Sequence, residues 1–276
     1  MTVQSFGARL HESMLTRGRL CVGIDPHAAL LAQWGLSDDV AGLERFALTA
    51  VEAIAPVAGV VKPQSAFFER FGSRGIAVLE RVLSESREAG ALVLLDVKRG
   101  DIGSTTQAYA DAYLDPASPL AADAITASPF LGFGSLTPMV ETARRYGAGL
   151  FVLARTSNPE GVQVQSAASG GRSVAGFVLD QLRELNHGAE PMGDFGPVVG
   201  ATLAEVEEDL DVNGPILAPG FGAQGGTITD LRRIFGAAAP RVLPSSSREV
   251  LSAGPDTGAL RDAVLRGNDA VAALGE

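Results

Sequence analysis

Asp96, Lys98 and Asp101 fall within six residues, directly after the apolar run Ala91–Leu95. Side chains along a strand alternate between faces, so a strand over this run points Asp96 and Lys98 the same way. Gly100 then lets the chain turn into a loop that carries Asp101. Acid, base and acid at one strand end can hold an ammonium ready to stabilise negative charge and to give up a proton. The plain alternative is an exposed ion pair worth about 0–1 kcal/mol. Other charges, delivered to the same place, decide between them.

Lys62 ends the apolar stretch Gly59–Val61, and Asp25 ends Leu20–Ile24; each is followed by a proline that stops a sheet ladder. Two acids and two lysines in one site are costly unless they neutralise one another, which a Lys62–Asp96–Lys98–Asp101 array would do. A second element is the glycine-rich run Pro219–Gly226, containing Gly220, Gly222, Gln224 and Gly225. Its backbone N–H groups can face an oxyanion, Gln224 adds a side-chain donor, and Arg248 past the next strand adds a bidentate charge. A tight turn and a surface arginine are the alternative. His27 has no Cys or His partner at ligand spacing, so no metal site is expected. His11 and His187 read as surface residues, and Trp34 as a packing residue.

The elements that position these groups follow from periodicity. A leading helix spans 4–17, with Phe6, Leu10 and Met14 spaced by four. Apolar strands are expected at 19–25, 59–63, 91–98, 122–127, 149–156, 197–202, 215–218 and 241–246, the last interrupted by Pro244. Helices separate them: one through Val40–Ile54 capped by Ser37 or Asp38, one closed by Gly90, and one at Tyr109–Tyr113 that Ser104 or Thr105 could cap. Others run through Met139–Tyr146, Val174–Leu185, the neighbourhood of Val206 and Leu210, Leu231–Phe235 and Leu260–Leu274. Residues 161–173, rich in Gly, Ser, Gln and Val, read as a long loop. Strands apolar on both faces and separated by helices require parallel pairing. Eight such units after one helix predict a single (β/α)8 TIM-barrel domain over 1–276, whose strand ends converge on one mouth. That mouth would gather Asp25, Lys62, Asp96, Lys98, Asp101, Thr126, Ser157, Gln224 and Arg248. A doubly wound open sheet is the runner-up, disfavoured because Asp25-Pro26-His27 stands where a Gly-x-Gly-x-x-Gly turn would.

Composition sets outer bounds. With 276 residues and 46% of them hydrophobic, the chain can bury a sizeable core. No apolar run approaches the roughly 18 residues of a membrane span, and Met1–Met14 shows no secretory h-region. The single cysteine, Cys21, excludes an internal disulfide and reads as a core residue. These points lead to an expected cytoplasmic location. A net charge of −10 argues against non-specific nucleic-acid binding, and makes an anionic substrate depend on local cations such as Lys62 and Lys98.

At these residues the sequence resembles orotidine 5′-phosphate decarboxylases. The resemblance rests on Asp-x-Lys-x-x-Asp-Ile at 96–102, the strand-end Lys62 and Gly-x-Asp-Pro at 23–26. Val61–Glu69 and Asp96–Thr105 are similar to the longer bacterial branch, and Pro219–Gly226 resembles the family's phosphate loop. It extends from about residue 20 to 250. It implies Lys98 as proton donor to C6 flanked by Asp96, with Lys62 contacting Asp96 and the ribose, and Asp25 on the ribose hydroxyls. It implies Asp101 and Thr105 reaching across a homodimer interface into the partner's site, Ser157 reading the pyrimidine edge, and Gln224 and Arg248 holding the 5′-phosphate. No metal and no organic cofactor are implied. The 161–173 loop is longer than in the compact branch. Such a decarboxylation passes through a C6 carbanion without a delocalising π-system, so electrostatics must carry it. Repulsion between Asp96 and a substrate carboxylate at ~4 Å would supply about 4 kcal/mol, against the roughly 23 kcal/mol that slow reactions require. Rival readings are a related sugar-phosphate lyase with a metal on the same Asp-x-Lys-x-x-Asp, a Schiff-base aldolase using Lys98 or Lys62, and a non-catalytic nucleotide-binding barrel.

Overall fold

All eight apolar runs form strands in the computed structural model, which describes residues 4–275. They are β1 (Cys21–Ile24), β2 (Val60–Pro63), β3 (Leu92–Arg99), β4 (Ala124–Ala127), β5 (Gly149–Arg155), β6 (Phe195–Val199), β7 (Ile216–Pro219) and β8 (Val242–Ser246). Each lies parallel to its neighbour in sequence, and β8 returns to β1 with Cys21 opposite Ser245 and Val22 opposite Ser246. The result is a closed (β/α)8 barrel. Pro244 lies inside β8 opposite Ala218, and the pairing with β1 begins only at the next residue.

Two layers of apolar side chains hold the barrel. One residue from every strand points inward: Cys21, Val60, Leu94, Ala124, Phe151, Val198, Leu217 and Leu243. Phe6, Leu10 and Met14 of the leading helix (Phe6–Arg17) join this inner cluster and plug the floor, with Phe6 edge-on to Phe151 at 6.1 Å. Strand residues of the other parity, among them Val61, Val93, Leu95, Ile125 and Val152, pack under the outer helices. Burial on both faces explains why the strands read as continuous apolar runs. Trp34 packs on Phe46 and donates its indole N–H to the Leu251 carbonyl at 2.9 Å, as a packing residue should. Among the described residues no helix is long and apolar enough to cross a membrane.

Local chemistry departs from expectation in four places. The helix Val40–Ile54 is capped by Asp39, whose carboxylate accepts from the Gly42 N–H at 2.8 Å; Asp38 pairs with Arg70 instead. The helix after β3 already begins at Gly103, so Ser104 and Thr105 sit within its first turn and cap nothing. No helix forms around Val206 and Leu210. A helix there would stack Glu205, Glu207, Glu208, Asp209 and Asp211 at repulsive three- and four-residue spacings. As an irregular strap, the segment instead offers the Leu203 carbonyl to Arg233 and the Asp209 and Asp211 carbonyls to Arg183. Finally, 161–173 is not featureless: it holds the helical turn Val162–Gln165 and a small hairpin pairing Ala168–Ser169 with Arg172–Ser173.

Candidate active site

The two-residue period of the strands builds the site. Beyond each inward core residue, the next inward positions rise to the C-terminal mouth: Asp25 above Cys21, Lys62 above Val60, Asp96 and Lys98 above Leu94, Thr126 above Ala124, and Ser245 and Ser247 above Leu243. Together with Ser157, Gly220 and Gln224 they line one cavity of about 320 Å³, at the small end of the range for small-molecule sites.

At its floor, Asp96 lies between two ammonium groups. Lys62 Nζ donates to Oδ2 at 3.2 Å, and Lys98 Nζ donates to Oδ1 at 2.6 Å. The Thr126 hydroxyl adds a bond to Oδ1 at 2.7 Å and itself accepts from the Lys98 backbone N–H at 2.9 Å. Burial alone would push the Asp96 carboxyl up, but Lys62, Lys98 and Thr126 together pull it down to about 2. Burial likewise disfavours the Lys62 charge, yet Asp96 and Asp25 hold its ammonium above the usual lysine range. The two lysines differ in access. Lys62 is 7% exposed and locked, whereas Lys98 is 46% exposed and can meet a ligand. Lys98 also has a positive φ of 45°, a strained backbone for a residue with a side chain. Beneath them Cys21 is buried, and burial pushes its thiol up to about 12, consistent with a core role.

The glycine-rich run turns tightly, with Gly220, Gly222 and Gly225 all at positive φ. Three of its N–H groups serve the turn itself: Gly222 to the Gly226 carbonyl, Gly225 to Gly222 and Gly226 to Gly220. Gly222 and Gly225 therefore shape the loop without offering their N–H groups to an oxyanion, while Gly220 and the Gln224 side chain face the cavity.

Three expected residues stand apart. Asp101 accepts from the neighbouring Ile102 N–H at 2.8 Å, and among the described residues no bond joins it to Lys98. The expected four-member array is thus Lys62–Asp96–Lys98 within one chain. Thr105 is exposed on its helix. Arg248 is exposed and opens the short helix Arg248–Leu251.

Several lining residues escaped the sequence reading: Gln64, Leu153, Thr156, Asn158, Gly200, Ser245 and Ser247. Strand parity could have found Ser245, two residues beyond Leu243. Parity also reaches Gln64, two residues beyond Lys62 and bridged to Asp96, whereas Asn158 and Ser247 lie in irregular backbone beyond the strand ends, where no period applies.

Comparison with known proteins agrees with this geometry. Residues 18–263 match the model of the orotidine 5′-phosphate decarboxylase / HUMPS family. A Nocardioides relative named orotidine 5′-phosphate decarboxylase is 71% identical over 268 residues, covering 96% of this chain and 97% of that one. A relative of the same name from Salinispora arenicola is 63% identical over 266 residues, 96% of each chain. A solved structure from Streptomyces avermitilis, assigned to the same activity, superposes with a TM-score of 0.96 at 59% identity, covering 100% of this chain and 97% of that one. With its barrel, its Lys62–Asp96–Lys98 floor and its glycine-rich turn, the chain belongs to the orotidine 5′-phosphate decarboxylase / HUMPS family.

Proposed function

We propose that this protein is a carboxy-lyase converting orotidine 5′-phosphate to UMP and CO2, with Lys98 as the proton donor. The observation that carries the reading is the Lys62–Asp96–Lys98 array, in which a carboxylate held ionised keeps an accessible ammonium at 2.6 Å. Two ammoniums flank this carboxylate, and with Asp25 on the same cavity the four formal charges balance, leaving Lys98 as the exposed cation. This arrangement opposes a substrate carboxylate less than a bare Asp96 would, and favours a carbanion at C6. Ground-state repulsion is then the smaller contribution, and preorganised charge the larger. When C6 loses CO2, the electron pair left on carbon takes a proton from Lys98 Nζ.

Asp25 is assigned to the ribose hydroxyls, Ser157 to the pyrimidine edge, and Gln224 with Arg248 to the 5′-phosphate. Gln224 already lines the cavity, and Arg248 follows Ser247, which does. Binding energy drawn from the phosphate is spent at the reacting carbon. Both oxygens of Asp96 are occupied by ammonium groups. A metal on this carboxylate would have to displace one of them, which favours decarboxylation over the metal-dependent lyase reading. The test is a spectrophotometric assay with orotidine 5′-phosphate, with and without a chelator. Turnover unaffected by chelation is expected; no turnover, or turnover only with added magnesium, would refute it.

The same reading makes the active unit a dimer with shared sites, in the cytoplasm. Ile102, Phe130 and Leu131 are 62%, 75% and 54% exposed on the loops after β3 and β4. These loops touch, with the Ser128 N–H donating to the Arg99 carbonyl at 2.8 Å. An apolar patch beside the mouth suits a second copy of the chain, whose Asp101 and Thr105 would complete each site. Mixed Lys98→Ala and Asp101→Ala homodimers, each nearly inactive, should regain activity on subunit exchange, with about a quarter of sites wild-type in composition under random pairing. Exchange verified by mass without recovery would place Asp101 in its own subunit's site.

A further inference from the structure

Segment 156–173 follows β5 and carries Ser157 and Asn158 into the cavity, yet its side chains are mostly exposed. Something outside the cavity must hold it. Arg155, the last residue of β5, is turned from the barrel interior by a register shift between Leu153 and Arg155. Its guanidinium reaches Glu208 on the strap between β6 and β7, at 3.6 Å, and donates to the Ser166 hydroxyl. Both side chains are largely buried, and the facing atoms, Arg155 Nε and Glu208 Oε2, meet no other partner among the described residues. The other oxygen of Glu208 accepts from the Ser173 hydroxyl at 2.7 Å. One carboxylate thus gathers both ends of the segment.

A second tie lies inside the loop. The Gln165 side chain accepts from the Thr156 N–H at 2.8 Å and donates to the Thr156 hydroxyl at 2.7 Å, fixing the backbone next to Ser157. Neighbouring glycines leave room for it. A Cβ at Gly161 would lie 2.8 Å from the Thr156 hydroxyl oxygen, and one at Gly200 would lie 3.0 Å from the Ser157 backbone nitrogen.

We propose that Glu208, through Arg155 and Ser173, is a positioning residue that sets Ser157 against the substrate base, joining the loops after β5 and β6 into one support. This rests on the decarboxylase reading and on Ser157 contacting the pyrimidine. Glu208 touches no substrate; it acts by limiting where the segment can sit.

The test is a double-mutant cycle of Glu208→Ala with Ser157→Ala on kcat, KM and UMP affinity. In the wild-type background Glu208→Ala should raise KM and the UMP dissociation constant roughly tenfold, with kcat within about threefold. In the Ser157→Ala background the same change should cost less than about twofold, and Glu208→Asp should restore part of the loss. Additive effects, or a lowered Tm with unchanged KM, would overturn the proposal. Should Glu208→Ala fail to fold, Ser166→Ala removes one tie at an exposed site and should show the same coupling to Ser157, about threefold in KM. An additive or absent effect there would overturn it equally. Wild-type protein inactive on orotidine 5′-phosphate would instead refute the decarboxylase reading itself.

Discussion

The two ends of the barrel use aspartates in opposite ways. At the floor, Asp123 pairs with Arg9 and accepts from the Val93 N–H, while Asp194 accepts from the Gly7 N–H at 2.7 Å. Those carboxylates fasten the leading helix and the strand starts to one another. At the mouth, Asp96 is bound by lysines and a threonine hydroxyl, and one of those lysines faces a cavity. The titrations diverge accordingly. Burial pushes the Asp194 carboxyl up, only partly offset by Gly7 and Arg9, whereas two ammoniums hold Asp96 down at about 2. Fixed partners at the floor tie elements together; an accessible charge at the mouth serves chemistry.

The largest test of this contrast is Lys98→Ala. It should lower single-turnover decarboxylation by roughly four orders of magnitude, the upper end of what a positioned proton donor supplies, with UMP binding retained. Rates within tenfold of wild type would erase the distinction between the two ends. Next in size, Arg248→Ala should cut kcat/KM for orotidine 5′-phosphate roughly a hundredfold, the loss expected of a charge-assisted bond, and barely affect orotidine. Equal losses on both would remove Arg248 from the phosphate site.

Smaller effects separate the aspartates by pH. Asp96 has a depressed folded-state pKa, so its contribution is present above the ordinary carboxylate value and lost as pH falls through about 2. Acid denaturation should show about 2 kcal/mol of stability disappearing over that window. The loss should be absent in a Lys62→Met, Asp96→Asn double variant. Asp194 has the opposite sign. Its raised pKa means that its ionisation weakens the fold as pH rises, so Asp194→Asn should gain stability at neutral pH relative to acid, with kcat/KM unchanged. Denaturant titrations at two pH values measure this; a gain at acid pH instead would contradict the burial argument.

Much of the barrel and its reactive mouth was legible in the residues. Apolar runs of strand length, such as Leu92–Leu95, report burial on both faces from local composition alone. A charge two residues beyond Leu94 shares its parity, so Asp96 follows from the covalent geometry of a strand, whereas Lys98 sits at a positive φ of 45° where the β3–β4 register shifts. The chain's own residue order also carried Asp25, Lys62 and Gln224 to the mouth, because a parallel barrel points every strand the same way.

What tertiary structure decided depends on partners far away in sequence. The acidic stretch 205–211 is a strap because Arg183 takes up its Asp209 and Asp211 carbonyls and Arg233 those of Leu203 and Ala204 just before it, and no window around Val206 contains these arginines. Arg155 leaves the inward row at a register shift and reaches Glu208 on another loop. Gly222 and Gly225 turn their N–H groups to neighbouring carbonyls, and Asp101 to the Ile102 N–H, choices set by loop geometry rather than residue type. Periodicity specifies regular backbone, where each side chain's direction follows from its position; beyond the strand ends, direction is settled only when distant segments compete for the same hydrogen bonds.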